Sequence, residues 1–179
     1  MKHVLLGVCA SVALYKSCDL ASKLTQAGFD VRCILTENAA KLVSAQLFEA
    51  VTGQPAHVSE WGERRKGAMD HIDLARWGDA LVVAPATADW MARTSHGFAN
   101  DLLTTVQLAM ESSKPRLMCP AMNPTMLEAK AVKRNLDQLL ADGWQVVAPG
   151  EGHTACGEKG QGRMAEPQEI ADHVLAWFA

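Results

Sequence analysis

Five short apolar runs rich in Val, Ile and Leu, at residues 4–9, 31–35, 80–84, 116–119 and 145–148, recur along the chain with segments of helical spacing among them. Runs of this length without polar alternation are the pattern of strands buried on both faces. The helical segments cover residues 15–27, 39–51, 100–110, 126–140 and 167–178, with a short one around His71 just before the third strand. Gly28 and Gly143 stand where two of these helices should stop. Parallel neighbours need crossover connections, and those connections are right-handed, so the order predicts a doubly wound parallel sheet with helices on both faces. The expected fold is a Rossmann-like (flavodoxin-like) three-layer α/β/α arrangement. At 179 residues, 49% of them hydrophobic, the chain suits one domain over 1–179, and no repeat or linker marks a boundary.

In such sheets ligands bind beyond the carboxyl ends of the strands. The residues just after the strands are Ala10-Ser11, Thr36-Glu37-Asn38, 85–89, 120–123 and 149–153, where small, polar and Pro residues crowd. The first turn, Gly7-Val8-Cys9-Ala10-Ser11-Val12, would present free backbone N–H groups to a phosphate, with Ser11 adding its hydroxyl. Alternatively Ser11 only caps the helix. The turn is neither Gly-x-Gly-x-x-Gly nor a Walker loop, so it does not indicate a dinucleotide or nucleoside triphosphate. Pro85-Ala86-Thr87-Ala88-Asp89 would let a flat ring lie close to backbone, or would be an ordinary turn with Asp89 as helix cap.

His71 belongs to a residue type suited to proton transfer near neutrality, although a single histidine in a short helix is more often structural. In Cys119-Pro120-Ala121-Met122-Asn123-Pro124, an Asn between two prolines has a restricted backbone and an amide free to bind a carboxylate. The same pattern also describes an Asn capping a helix that opens at Pro124. The stretch from His153 to Met164 holds three glycines, at 157, 160 and 162, beside Cys156 and Arg163. It reads as a flap that folds over a ligand and brings the Cys156 thiol as a proton donor, or as a Gly-rich surface hairpin. No His-Glu-x-x-His or paired-Cys spacing suggests a metal.

A net charge of −3, from 17 basic and 20 acidic side chains spread along the chain, leaves no cationic stripe for nucleic acid. The apolar start is too short for a membrane span or signal peptide. Five cysteines with no Cys-x-x-Cys pair fit a reducing compartment, and a cytoplasmic location is expected. A charged loop is expected over 55–67.

Taken together and in order, the turn at Ser11 with Tyr15-Lys16, His71-Ile72-Asp73-Leu74, residues 84–89 with Ala99-Asn100-Asp101-Leu102, Pro120-Ala121-Met122-Asn123, and Ala155-Cys156-Gly157 through Gly162-Arg163-Met164 resemble the phosphopantothenoylcysteine decarboxylase family. The resemblance runs over nearly the whole chain. It implies FMN across the strand ends, with phosphate at Ala10, Ser11 and Val12 and further contacts from Thr36, Thr87, Ala88, Asp89, Trp90 and Ala121. It implies that His71 acts in oxidation of the substrate cysteine, that Asn123 binds its carboxylate, and that Cys156 protonates a late intermediate. Met126, Ala155 and Arg163 would line the substrate pocket.

The implied chemistry oxidises the cysteine to a thioaldehyde, whose sulfur takes the electrons left by CO₂. The resulting enethiol is then reduced to 4′-phosphopantetheine in coenzyme A biosynthesis, without external nicotinamide. The family also implies a homo-oligomer, a trimer or a dodecamer built of trimers, with His71 facing FMN bound largely by another subunit. It is often fused to a phosphopantothenate-cysteine ligase domain, so this chain is expected to be free-standing or a domain of a bifunctional protein. Relatives keep other activities in view: a peptidyl-cysteine decarboxylase that stops at the enethiol, a flavin prenyltransferase, and a flavin-binding regulator without catalysis. One departure stands in the phosphate turn, where the family usually carries Gly before Ser and this chain has Ala10.

Overall fold

A computed structural model of the chain describes residues 1–61, 69–153 and 157–179, the side chain of His153 excepted. In chain order the elements are β1 (His3–Val8), a single 3-10 turn (Val12–Leu14), α1 (Tyr15–Gln26), β2 (Asp30–Leu35), α2 (Glu37–Ala40) and α3 (Ala45–Thr52). Then come α4 (Asp70–Trp77), β3 (Ala80–Ala86), α5 (Ala88–Ser95), α6 (Leu102–Ala109), β4 (Arg116–Pro120), α7 (Pro124–Glu128) and α8 (Lys130–Ala141). The chain closes with β5 (Gln145–Val146), β6 (Gly150–His153), β7 (Lys159–Arg163) and α9 (Pro167–Ala176).

Strands β1 to β5 form one parallel sheet in the order β2-β1-β3-β4-β5. The chain winds outward from β1 in both directions, which is the doubly wound arrangement expected, and the central strands are buried on both faces. Alternation divides their side chains between two cores. Val4, Leu6, Val8, Val82 and Ala84 meet Leu20, Leu24, Phe48 and Ile170 of α1, α3 and α9 on one side. Leu5, Leu81, Val83 and Met118 meet Leu74, Met91, Leu103 and Leu139 of α4, α5, α6 and α8 on the other. Gly7 faces the second core, where an added Cβ would stand 2.6 Å from a Leu103 methyl; the absent side chain lets α6 lie close over β1.

Local chemistry breaks two helices that periodicity joined. The expected 39–51 helix divides into α2 and α3 because the Ser44 hydroxyl accepts the Gln46 N–H and starts a new helix. The expected 126–140 helix divides at Ala129, whose backbone is extended at ψ 132. Helix α5 entered the sequence reading only as the helix that Asp89 would cap. Its apolar positions, Trp90 and Met91, are flanked by polar ones over only eight residues, too few to stand out as a period. Gly28 and Gly143 end their helices at φ 92 and 89, the left-handed conformation that glycine reaches without strain.

The segment read as a charged loop adds one parallel bridge, His57 to Ile34, at the sheet edge; its part beyond Trp61 lies outside the described residues until Met69. The last expected strand, 145–148, pairs with β4 only over Gln145 and Val146. Beyond it, β6 and β7 pair antiparallel as a separate two-stranded ribbon. No helix among the described residues is long and apolar enough to cross a membrane.

Candidate active site

A cleft of about 610 Å³ opens at the carboxyl ends of β1 to β4, within the roughly 300–1,000 Å³ of small-molecule and cofactor sites. It is built by the loops in which the sequence placed the chemistry. From the first turn come Cys9, Ala10 and Ser11; from the loop after β2, Thr36, Glu37 and Asn38; from the loop after β3, Thr87, Ala88, Asp89 and Trp90. Ala121, Met122 and Met126 close the side beyond β4.

The hydroxyls of three of these loops are helix caps and cleft walls at once. Ser11 Oγ accepts the Ala13 N–H at 3.3 Å, Thr36 Oγ1 the Ala39 N–H at 3.2 Å, and Thr87 Oγ1 the Trp90 N–H at 3.3 Å. The capping alternative for Ser11 therefore holds without removing it from the cleft. After β3 the cap is Thr87 rather than Asp89, which sits in the first turn of α5 with its carboxylate on Arg93 Nε at 3.1 Å. In the first turn, the bonds to Ser11 are made by Ala13 and Leu14, and the residues at the cleft wall are Ala10 and Ser11, which precede them. Val12 itself is exposed and does not line the cleft.

Two buried polar contacts hold α1 beneath that turn. Ser17 Oγ donates to the Ala84 carbonyl at 2.7 Å, and Lys16 Nζ reaches the Met164 carbonyl at 3.1 Å and Glu166 Oε1 at 2.7 Å. Cys9 is buried, and burial pushes its thiol up to about 12, so it is a wall and not a nucleophile.

Arg93 is a cleft residue the sequence reading missed. Its guanidinium joins Asp89, one turn earlier, to Asn100 Oδ1 at 3.1 Å and Asp101 Oδ2 at 3.4 Å, tying α5 to the start of α6. The signal was the i,i+4 Asp89/Arg93 pair, legible only once α5 is read as a helix. Asp101 is held by a capping box with Thr104, accepting both its N–H and its hydroxyl at 2.8 Å.

Asn123 is not among the residues that line the cleft; it follows the lining residues Ala121 and Met122 in the chain and precedes Met126. Its Oδ1 accepts the Thr125 and Met126 N–H groups at 2.7 and 3.3 Å, capping α7 with Pro124 at the first position. That cap turns the amide NH₂ outward, where Nδ2 donates to Glu158 Oε2 at 2.7 Å. Of the two sequence readings of Asn123, the structure shows the cap, and its amide NH₂ is engaged by Glu158.

The described arms of the Gly-rich stretch pair as a hairpin, β6 with β7, and β7 docks on the loop after β4. Met122 N–H donates to the Gly162 carbonyl at 3.0 Å, and a Cβ on Gly162, at φ 154, would lie 2.2 Å from the Met122 carbonyl oxygen. Gly160 packs on the Pro124 ring, where a Cβ would stand at 3.1 Å. These glycines permit close backbone approach. Arg163 lies across Gly152 and 3.9 Å from Glu166, apart from the cleft lining. Ala155 and Cys156 lie outside the described residues.

His71, on the first turn of α4, is also apart from this cleft; its Nδ1 is 3.4 Å from Glu60 Oε1. Glu60 lines a second cleft of about 280 Å³ that shares Glu37, Asn100 and Asp101 with the first. No cluster of metal-ligating side chains occurs among the described residues.

All of residues 1–179 match the flavoprotein family. The chain belongs to that family. Among flavoprotein-family relatives it is 42% identical over 178 residues to the coenzyme A biosynthesis bifunctional protein CoaBC of Bacillus subtilis, covering 99% of this chain and 43% of that protein. It is 40% identical to the protein of the same name from Haemophilus influenzae, of which it covers 44%. The chain thus spans less than half the length of these curated relatives.

Among solved structures, a cysteine-to-serine mutant of PPC decarboxylase complexed with pantothenoylaminoethenethiol superposes with a TM-score of 0.86 at 30% identity, over 99% of both chains. The FMN-dependent cysteine decarboxylase SpaF superposes with a TM-score of 0.85 at 34% identity, covering 100% of this chain and 98% of that one. The Rossmann-like three-layer α/β/α fold expected from the strand and helix order is thus the fold of this chain.

Proposed function

We propose that this flavoprotein is an FMN-dependent carboxy-lyase that converts 4′-phospho-N-pantothenoylcysteine to 4′-phosphopantetheine in coenzyme A biosynthesis. One observation carries the reading: a cleft at the strand ends is walled by small residues and backbone amides, and the loop that supplies its Ala121 and Met122 walls continues into Asn123, whose own helix cap fixes its amide. The likeness over nearly full length to a PPC decarboxylase and to CoaBC proteins supports the substrate.

The donor set suits FMN. The amides of Ala10, Ser11 and Val12 would hold its phosphate, and Thr36, Thr87 to Trp90 and Ala121 would border the ribityl chain and ring. Bound FMN supplies reversible two-electron oxidation of the substrate's cysteine, which makes the carboxylate a leaving group. Asn123 binds and orients that carboxylate, Met126 borders the substrate, and Arg163 contributes from the hairpin. His71 acts in the oxidative step, and Cys156, assigned on sequence alone, protonates the late intermediate.

His71 stands apart from its own cleft, which supports an assembly in which it faces FMN held by another subunit, a trimer or a dodecamer of trimers. Exposed apolar side chains beside the clefts, Val12, Tyr15, Trp61 and Phe98, are surfaces that such contacts would cover. A cytoplasmic location agrees with the buried, unpaired Cys9, Cys33 and Cys119. The ligase that supplies the substrate would be a separate protein or a fused domain. The likeness to SpaF, an FMN-dependent cysteine decarboxylase, leaves a second reading beside the first, a peptidyl-cysteine decarboxylase of peptide modification.

The test follows CO₂ release from 4′-phosphopantothenoylcysteine and from a peptide ending in Cys, with flavin absorbance recorded on the same sample. Flavin, CO₂ and the saturated thiol from the first substrate, with an enethiol accumulating in Cys156→Ser, support the proposal. CO₂ from the peptide alone overturns it in favour of the second reading.

A further inference from the structure

The carboxylate that Asn123 already holds belongs to the protein. Glu158 Oε2 accepts from Asn123 Nδ2 at 2.7 Å, while Asn123 Oδ1 is committed to the Thr125 and Met126 amides, so the amide cannot flip and its NH₂ stays turned to Glu158. The contact is built into the hairpin. Two residues beyond Glu158, Gly160 seats on the Pro124 ring, and at Gly162 the backbone bonds to Met122, so β7 is pinned on both sides of the loop that carries Asn123.

A second carboxylate arriving at the same NH₂ would stand against Glu158, and two carboxylates at hydrogen-bond range of one donor repel. We infer that Glu158 is an internal carboxylate ligand of Asn123, exchanged for the substrate's carboxylate on binding and returned to Asn123 once that group has left as CO₂. This rests on Asn123 as the carboxylate site in the proposed function. Glu158 thereby determines specificity: only a ligand bearing a carboxylate must displace it, and the decarboxylated product competes with nothing.

The experiment measures dissociation constants on the flavin-loaded protein for two unreactive or spent ligands. One is 4′-phosphopantothenoylserine, which keeps the carboxylate and lacks the oxidisable thiol; the other is 4′-phosphopantetheine, which lacks the carboxylate. Glu158→Ala should tighten the serine analogue by about fivefold, the scale of one exposed charged contact, and leave 4′-phosphopantetheine unchanged. Glu158→Gln, which keeps an acceptor without the charge, should fall between.

An unchanged or weakened serine analogue in Glu158→Ala, or absence of its binding, overturns the inference. So does an equal shift for both ligands, which is what mere loosening of the hairpin would produce. CO₂ release by the wild type, recorded separately, reports on the functional reading: activity with an unchanged serine-analogue constant sinks the exchange alone.

Discussion

Lys16 and Glu166, 150 residues apart, meet at 2.7 Å and fasten the first helix, under the phosphate turn, to the start of the last. The Lys16 side chain is only 9% exposed and also donates to the Met164 carbonyl, so the ammonium is desolvated and depends on both partners. Lys16→Met should destabilise the fold by about 1–3 kcal/mol, the cost of leaving the buried Met164 carbonyl without its donor, read from denaturant midpoints at constant slope. Full stability in that variant would mean that the pair contributes nothing net.

The same pair predicts an acid dependence. The Lys16 hydrogen bond holds the Glu166 carboxyl below its ordinary value of 4.5. A group with a depressed folded value stabilises above the unfolded value and loses that contribution as pH falls through the folded one. Wild type should therefore lose stability below about pH 4.5 more steeply than Glu166→Gln, which has no carboxylate to protonate. Parallel acid profiles of the two proteins would count against the link.

Gly162 should tolerate no side chain. A Cβ there would lie 2.2 Å from a backbone oxygen, at a φ of 154 that L-residues rarely adopt. Gly162→Ala should cost about 1–3 kcal/mol in strain or, more cheaply, undock β7 from Met122. Hydrogen exchange at the Met122 amide distinguishes the two, since undocking exposes it.

Ser11 has a stability role separable from any part in binding. Ser11→Ala removes the Ala13 cap and should cost about 1 kcal/mol, lowering Tm by roughly 2–4 °C in a domain of this size. If the hydroxyl also contacts the FMN phosphate, flavin affinity falls by more than the stability loss explains, as flavin titration at a temperature well below Tm would reveal.

The buried thiols should be inert. Burial pushes Cys9 up to about 12 and raises Cys33 and Cys119 further, whereas Cys18 is half-buried and raised by burial and Asp19. Peptide mapping after brief alkylation of the native protein at pH 8 should label Cys18 ahead of those three. Rapid labelling of Cys9 would contradict the cleft wall described above.

How much of this was legible in the residues follows from the range of the interactions. Strands buried on both faces announce themselves by composition, and strand-helix alternation then leaves one topology class, so the sheet and its ligand edge could be read directly. Ser11 and Asn123 were legible as caps because capping is local, each side chain bonding within three residues of itself; after β3 the same reading chose Asp89 where the cap is Thr87, two residues earlier.

Arg93 and Glu158 were not, because their partners Asn100, Asp101 and Asn123 come from other elements. In the Gly-rich stretch, motion and close approach call for the same residue, and the carbonyl facing Gly162 shows close approach at that position. The sequence by itself determined the fold class and the loops that form the cleft, since those depend on local pattern and chain order. The tertiary structure alone decided that Lys16 answers Glu166 and that Glu158 already occupies the Asn123 amide, since hydrogen bonds and charges act through space and carry no mark of their partner along the chain.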